Sequence, residues 1–354
     1  MAVIGIDLGT TNSLGAVWRN GKAELIPDEL GNLMIPSVVA VDLEGNILIG
    51  QAAREEELVH PERSASNFKR FMGTTRQYSL GEKVFTPEEL SALILQRIKD
   101  MAGEYLKEEI TECIISVPAY FNNDQRYATK LAAQLAGIYC ERLINEPSAA
   151  ALTAWRGDEE ESYLLVFDFG GGTLDISIVD CFENIVEITT IAGDNHLGGT
   201  DFDREIALAF CEETGIDWNK LCKRQQANLL LESKRCKETL SLQNQVEMQF
   251  CPGESSGDAK LCMTLNTEKL FRIGQGLFKR IKNVISRAIT DSGLGVEDIS
   301  AVLLAGGSSR MPVVQMFLSR LFGRDIVVGN EPDLLIARGI GVYTARPGMG
   351  KTYA

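Results

Sequence analysis

The sequence predicts a duplicated α/β fold in two lobes, each presenting a glycine- and threonine-rich loop at the end of a buried strand. Three observations carry this expectation. Ile6-Asp7-Leu8-Gly9-Thr10-Thr11 near the start is matched by Phe167-Asp168-Phe169-Gly170-Gly171-Gly172-Thr173 in the middle. Both copies read as apolar strand, Asp, Gly-rich hairpin and Thr, and such self-similarity marks an internal repeat. Strands and amphipathic helices alternate along the first half, the pattern of a layered sheet with right-handed crossovers. With 354 residues, 45% of them hydrophobic, two lobes can each bury a core.

The elements follow in order. Val3–Ile6 is an apolar strand ending at Asp7-Leu8-Gly9. Leu14–Trp18 and Lys22–Ile26 flank Asn20-Gly21, a strong two-residue hairpin signal. Thr86-Pro87-Glu88-Glu89 opens a helix with a cap, a proline at the first helical position and a capping box. Leu90, Leu93, Ile94, Ile98, Met101 and Tyr105 then form one apolar face. Strand Cys113–Val117, helix Asp124–Ala136, strand Arg142–Ile144 and helix Pro147–Trp155 continue the alternation. The acidic stretch Gly157–Ser162 reads as a boundary. Strands Leu164–Phe167, Leu174–Val179 and Ile185–Ile191 restart the pattern. Helix Asp217–Leu240 follows, then strands Val246–Cys251 and Leu261–Leu265 around a turn at Gly253–Gly257. Helix Thr267–Thr290, strand Ala301–Leu304, helix Met311–Leu321 and a helical Pro332–Ala345 complete the chain.

Charge and composition narrow the function. A net charge of −14 repels phosphate backbones and anionic lipid, which argues against nucleic-acid and membrane partners. No run of about 18 apolar residues exists to span a bilayer. Eight cysteines occur without a C-x-x-C pair, which suits free thiols in a reduced cytosol. The N-terminus shows no signal-peptide pattern, so the expected location is cytoplasmic.

The two repeated loops suit phosphate. Glycine lets backbone N–H groups approach oxygens closely, and Thr hydroxyls add donors. An Asp at each strand end suits hydrated Mg²⁺, a cation that keeps its waters. Glu146, between a strand end and Pro147, has two readings: a ligand-facing acid at the sheet edge, or an acid favoured by the helix dipole. Gly306-Gly307-Ser308-Ser309, between a strand and a helix, suits a nucleotide's phosphate or ribose, while Ser308 can equally cap the helix. Ala345–Thr352 fits a loose P-loop pattern without the following helix such a loop needs, and reads as a terminal tail. With only His60 and His196 present, a histidine-centred site has little material.

Several segments, in this order, are similar to the seventy-kilodalton heat-shock chaperones of DnaK type. They are Gly5–Ser13, Val117-Pro118-Ala119-Tyr120-Phe121-Asn122, Asn145-Glu146-Pro147-Ser148-Ala149-Ala150-Ala151, Phe167–Asp175, Gly193–Gly199 and Gly306–Arg310. Asn12, Ala16-Val17-Trp18 and Leu321-Phe322-Gly323 most resemble the HscC-like bacterial branch. The resemblance implies an actin-like, ribonuclease H-like fold, with two lobes and four subdomains around a central nucleotide cleft. It places lobe I at 1–158 (core 1–35 and 87–158, peripheral subdomain 36–86). Lobe II falls at 159–346 (core 159–196 and 272–346, peripheral subdomain 197–271), with a tail at 347–354.

Roles carry over by motif. Gly9, Thr10, Thr11 and Asn12 would grip phosphates from one lobe, and Gly170, Gly171, Gly172 and Thr173 from the other. Lys69 would orient the attacking water and γ-phosphate, although composition alone makes it a surface lysine. Asp7, Glu146 and Asp168 would surround Mg²⁺ and its waters, with Asp175 near a K⁺ site. Gly198, Gly199, Lys237, Ser241, Gly306, Gly307, Ser308, Arg310 and Asp333 would serve the rest of the nucleotide. Lys234 stands where the family usually has a ribose-binding Glu, and Glu238 where some members stack an Arg. Pro118 and Arg126 match a relay to a substrate domain.

The resemblance therefore implies slow hydrolysis of ATP to ADP by a monomer. J-domain and nucleotide-exchange partners would regulate it, and client peptides would bind only through a further C-terminal domain not contained in these residues. A sugar or acetate kinase and a filament-forming protein are the rival readings on such a fold. The kinase lacks an evident acceptor motif.

Overall fold

The computed structural model describes residues 2–154, 162–182, 185–251, 260–323 and 331–345. The boundary stretch 157–161, the turn 253–257 and the tail 347–354 lie outside them. The chain divides into two compact units. One comprises 1–161, 180–188 and 334–354, the other 162–179 and 189–333.

In the first unit a sheet runs in the order Tyr139–Asn145, Glu112–Val117, Val3–Asp7, Asn12–Arg19, Lys22–Ile26. The first three strands are parallel. The last three form an antiparallel meander whose turn, Asn20-Gly21, has φ of 53° and 76°. Positive φ at both positions is what a type I′ hairpin requires. Side chains alternate across the sheet. Ile4 and Ile6 pack with helices Pro87–Leu106 and Asn123–Leu135 in one core. Gly5 between them meets Ile340 of helix Leu335–Ala345. The expected cap at Thr86 forms both bonds of its box, Glu89 N to Thr86 Oγ1 at 3.2 Å and Thr86 N to Glu89 Oε2 at 2.7 Å.

The sequence reading had grouped that last helix with the second lobe. Its packing is instead against strands Val3–Asp7, Asn12–Arg19 and Lys22–Ile26 and helix Glu146–Ala154. Small residues set this: Ala16 and Ala23 lie under Gly341. The segment 36–86, to which no elements were assigned, holds a three-stranded sheet (Ile47–Ile49, Val38–Val41, Ser64–Ser66), helix Gln51–Val59 and a hairpin of Tyr78–Leu80 with Lys83–Phe85.

The second sheet runs Ile185–Asp194, Leu174–Phe182, Ser162–Phe169, Ile299–Ala305, the last pair parallel. In both sheets the third, second and first strands of the repeat precede its fourth, so the order along the sheet is the same. That shared order is the duplication seen in the backbone. Phe167, Phe169, Phe202, Phe210 and Phe278 are fully or almost fully buried in this unit's core. Phe202 stacks edge-on against Phe169 and Phe278.

Two expected helices are broken. Asp217–Leu240 resolves into a short 3-10 turn, Trp218–Lys220, and helix Lys223–Thr239. Asp217 caps the turn through Asn219 N at 3.0 Å, and Gln225 Oε1 accepts from Cys222 N at 2.8 Å to start the helix. Thr267–Thr290 divides into Thr267–Ile273 and Gln275–Ser292. Gly274 between them packs under Phe202 and Phe278. A helix that the sequence reading did not assign, Gly199–Thr214, opens at the Gly198-Gly199 motif.

Candidate functional site

Parallel strands deliver their C-terminal ends to one edge of a sheet, where ligands gather. In the first unit that edge carries Asp7, Ser116 and Glu146. Ser116 Oγ donates to Asp7 Oδ1 at 2.8 Å. Lys69 arrives from a 3-10 turn, Phe68–Phe71, that follows Asn67 in the left-handed region. Its Nζ donates to Glu146 Oε1 at 2.7 Å and lies 5.8 Å from the centre of the Phe121 ring. Lys69 is only 4% exposed, so the surface position that composition suggests is wrong. A buried ammonium with a carboxylate and an aromatic face has a fixed direction, and an ammonium offers three N–H groups, so two remain to point elsewhere.

The Gly9–Asn12 loop is braced from below. Gly9 N donates to Ser13 Oγ at 3.2 Å, Ser37 Oγ donates to Gly9 O at 2.8 Å, and Ser37 N donates to Thr11 O at 2.8 Å. The Ser13 and Ser37 hydroxyls are 2.9 Å apart. Thr11 is exposed and Thr10 and Asn12 half-buried. Arg126 ties the loop after Glu112–Val117 to the next strand. It donates to Phe121 O at 3.0 Å and to Asn145 Oδ1, beside Glu146, at 2.8 Å.

Burial and the neighbouring Glu146 push the Asp7 carboxyl up from 3.8 to about 6, against the lowering pull of Lys69 and Ser116. An acid whose folded value is raised costs the folded state above that value, and the cost disappears as pH falls toward the unfolded value. A displacement of this size corresponds to about 3 kcal/mol. In chelator, the ligand-free protein is therefore expected to lose stability relative to an Asp7→Asn variant as pH rises from about 5 to about 7.5. Urea midpoints at the two pH values check it, and a constant difference would contradict it.

In the second unit the expected residues gather around the Gly170–Thr173 hairpin. Gly199 N donates to Gly170 O at 3.0 Å and Thr200 N to Gly171 O at 2.8 Å. Gly198 is pressed so closely on the hairpin that a Cβ would lie 2.3 Å from Gly172 N. Lys237 Nζ donates to Gly199 O at 2.6 Å and pairs with Asp203 Oδ1 at 2.7 Å, both side chains buried. Desolvation by burial raises the Asp203 carboxyl even so. A Cβ on Gly199 would fall 2.3 Å from Ser308 Oγ, and one on Gly306 would fall 2.6 Å from Asp168 Oδ1. Gly307 adjoins Asp333, which pairs with Arg310.

From the sequence Ser308 could cap the following helix, bind nucleotide, or do both. The helix after it, Pro312–Phe322, has Met311 at its cap position and no side-chain cap, so Ser308 does not cap it. Asp175 lies against Gly193. Ser241 follows helix Lys223–Thr239, with its N–H on Glu238 O at 3.0 Å. Lys234 and Glu238 face each other at 3.9 Å, exposed. Sequence reasoning missed Ser37, Ser116, Phe121 as an aromatic neighbour of Lys69, and Asp203. A Ser or Asp far away in sequence carries no local signal of such a contact.

Among the described residues no three His, Cys, Asp or Glu side chains form a ready-made metal cage. Asp7, held by Ser116 and next to Glu146, offers oxygens of the kind that suit a hard cation such as Mg²⁺. The unrelieved charge beside Asp7 fits the same ion. Also among the described residues, no helix is long and apolar enough to cross a membrane.

A family model described as Hsp70 protein matches residues 3–80 and 74–345. Both repeated loops, Lys69 and Glu146 fall inside the matched spans. With nearly the whole chain covered, the protein belongs to the Hsp70 family, whose members are chaperone ATPases of actin-like fold that bind ATP or ADP with Mg²⁺.

Proposed function

We propose that this chain binds MgATP and hydrolyses it slowly, its nucleotide state acting as the output that switches a chaperone. The observation that carries this reading is the buried Lys69–Glu146 pair at the strand-end edge that also holds Asp7. A lysine buried to that degree needs a reason, and a desolvated, aimed ammonium is suited to a phosphate undergoing transfer.

Phosphoryl transfer asks mainly for positioning and neutralisation, with no covalent nucleophile. The Gly9–Asn12 and Gly170–Thr173 backbones present N–H groups to phosphate oxygens. Lys69, directed by Glu146 and Phe121, holds the γ-phosphate and the attacking water. Asp7, Glu146 and Asp168 would hold Mg²⁺, largely through water. Bound Mg²⁺ would neutralise the phosphate charge that builds up during transfer. Lys237, with Asp203, fixes the Gly198-Gly199 turn, and Ser308, Arg310 and Asp333 border the remainder of the nucleotide. Asp175 is assigned to the neighbourhood of K⁺.

Arg126 bridges Phe121 and Asn145 and so suits transmission of nucleotide state, together with Pro118. The resemblance of Asn12 and Ala16–Trp18 supports the HscC-like branch. Lys234 and Glu238 occupy each other, which favours weaker or differently tuned nucleotide affinity. The lobe and subdomain limits expected from the resemblance belong to the same proposal, with helix Leu335–Ala345 moved to the first.

Hsp70 proteins generally work with J-domain proteins and exchange factors. The reading is tested by single-turnover ATP hydrolysis in Mg²⁺, with and without a J-domain protein. Slow basal hydrolysis accelerated by the J-domain is expected. ATP-dependent pelleting in a sedimentation assay, or phosphate transfer to a sugar or acetate instead of water, would replace the reading with one of its rivals.

A further inference from the structure

Two buried thiols stand on adjacent strands in the first unit. Cys113 and Cys140 stand on neighbouring parallel strands, at an irregularity in their pairing. Glu112 pairs with Tyr139, yet Ile114 pairs with Arg142. Cys113 alone therefore faces both Cys140 and Glu141. The two thiols are 3% and 7% exposed and belong to the same apolar core. Their register puts them side by side on that face of the sheet, and the Cys140 thiol donates to the Arg142 carbonyl at 3.1 Å. Valine or alanine would fill these positions as well for packing. Two neighbouring thiols add a chemistry that neither has alone.

The strands concerned are those that serve the site. A little beyond Cys113 the first strand carries Ser116, which holds Asp7. A little beyond Cys140 the second ends at Asn145, held by Arg126, and Glu146, paired with Lys69. A bulge is where a register can be reset, because one residue there is already unpaired.

We propose that Cys113 and Cys140 form an oxidisable pair, and that their disulfide resets the strands at the bulge and with them the Asp7–Glu146–Lys69 cluster. A disulfide closes two sulfurs from van der Waals contact to about 2.05 Å, which requires the bulge to tighten. Burial restricts the oxidant to a small one, a peroxide. The Cys140 sulfur attacks a peroxide oxygen and breaks the O–O bond, giving a sulfenic acid and one water. The Cys113 sulfur then attacks the Cys140 sulfur, forming S–S and expelling hydroxide, which takes the Cys113 proton and leaves as a second water. Two thiols lose two electrons and one peroxide gains them. Cys140 is placed as the attacking sulfur because its neighbours Cys113 and Lys130 favour its thiolate, whereas Cys140 and burial push the Cys113 thiol up.

The test treats the full chain with hydrogen peroxide, blocks remaining thiols under denaturing conditions and reads peptides by mass. A Cys113–Cys140 linked peptide, lost on adding dithiothreitol, is expected. It is absent from Cys113→Ala and Cys140→Ala variants, whose folding is checked by circular dichroism. Hydrogen exchange over residues 112–117 and 139–146 should change in the linked protein. ATP turnover should fall several-fold and recover on reduction. Recovery of both residues as blocked free thiols, while exposed Cys222, Cys251 and Cys262 oxidise, would overturn the pair. A linked protein with unchanged exchange would overturn its effect on the site. The turnover readout rests on the proposed hydrolysis, whereas mass and exchange do not, so failure of one is distinguishable from failure of the other.

Discussion

Lys69→Ala is expected to lose hydrolysis roughly 100-fold or more, the scale of removing one positioned charged donor, while MgATP affinity changes by less than about tenfold. The reasoning is local. Lys69 is buried, held at 2.7 Å by Glu146 and turned by the Phe121 face. It cannot be an adaptable surface cation that any neighbour replaces. In the proposed reading most contacts to the nucleotide would come from backbone N–H groups of the two glycine loops, which the substitution leaves in place. Losing the ammonium also removes one of the two groups that lower the Asp7 carboxyl, so the variant should be less stable without ligand as well. Single-turnover hydrolysis and calorimetric binding on the same samples separate the two effects. Hydrolysis at the wild-type rate would remove Lys69 from the chemistry.

Gly339→Ala is expected to be the most damaging single methyl group in the first unit. Gly339 lies in helix Leu335–Ala345, where it crosses helix Glu146–Ala154, and an added Cβ would fall 1.7 Å from the Ala149 carbonyl oxygen. That oxygen belongs to a helix backbone, so no side chain can swing aside. The two helices would have to separate. Helix propensity pulls the other way, since Ala favours a helix over Gly by about 1 kcal/mol. Overpacking against fixed backbone costs about 3 kcal/mol or more, so the net effect is destabilising by about 2 kcal/mol or more. Thermal unfolding should show a midpoint lower by roughly 5 °C or more. An unchanged or raised midpoint would show that the helices are not in the close contact described. Since helix Glu146–Ala154 starts with Glu146, the same substitution should also slow hydrolysis.

Much of the architecture was legible because its signals are local. Asn20-Gly21 specified its hairpin through two positive φ values, and Thr86–Glu89 specified a helix start through a capping box. The repeated Asp and Gly loops identified a duplication, which the common strand order of the two sheets then displayed. What the sequence hid was set by contacts between distant residues. Segment 36–86 builds its small sheets from strands of a few residues, too short for periodicity to register. Gly274 and the stretch around Cys222 interrupt helices whose apolar spacing runs on across the breaks. The last helix joined the first unit because Gly5, Ala16 and Ala23 leave it room, and small residues scattered along a chain do not announce a shared groove.

The site followed the same rule. Its glycines, threonines and acids stand in recognisable order, so their positions were legible. The burial of Lys69 was not, since a lysine between Phe68 and Arg70 reads as surface. Ser37 bracing Gly9 and Asp203 fixing Lys237 are likewise products of folding.

MgATP held by the glycine loops, with Lys69 serving its hydrolysis, is the expectation on which the rest depends. Titration calorimetry with MgATP addresses it directly, on wild type and on Gly198→Ala, whose methyl would collide with the Gly172 backbone of the second unit. One site per chain is expected, weakened at least about tenfold by Gly198→Ala and dependent on Mg²⁺, with hydrolysis in turn requiring Lys69 of the first unit. Two independent sites, or one site indifferent to Gly198→Ala in a variant shown to be folded, would contradict it.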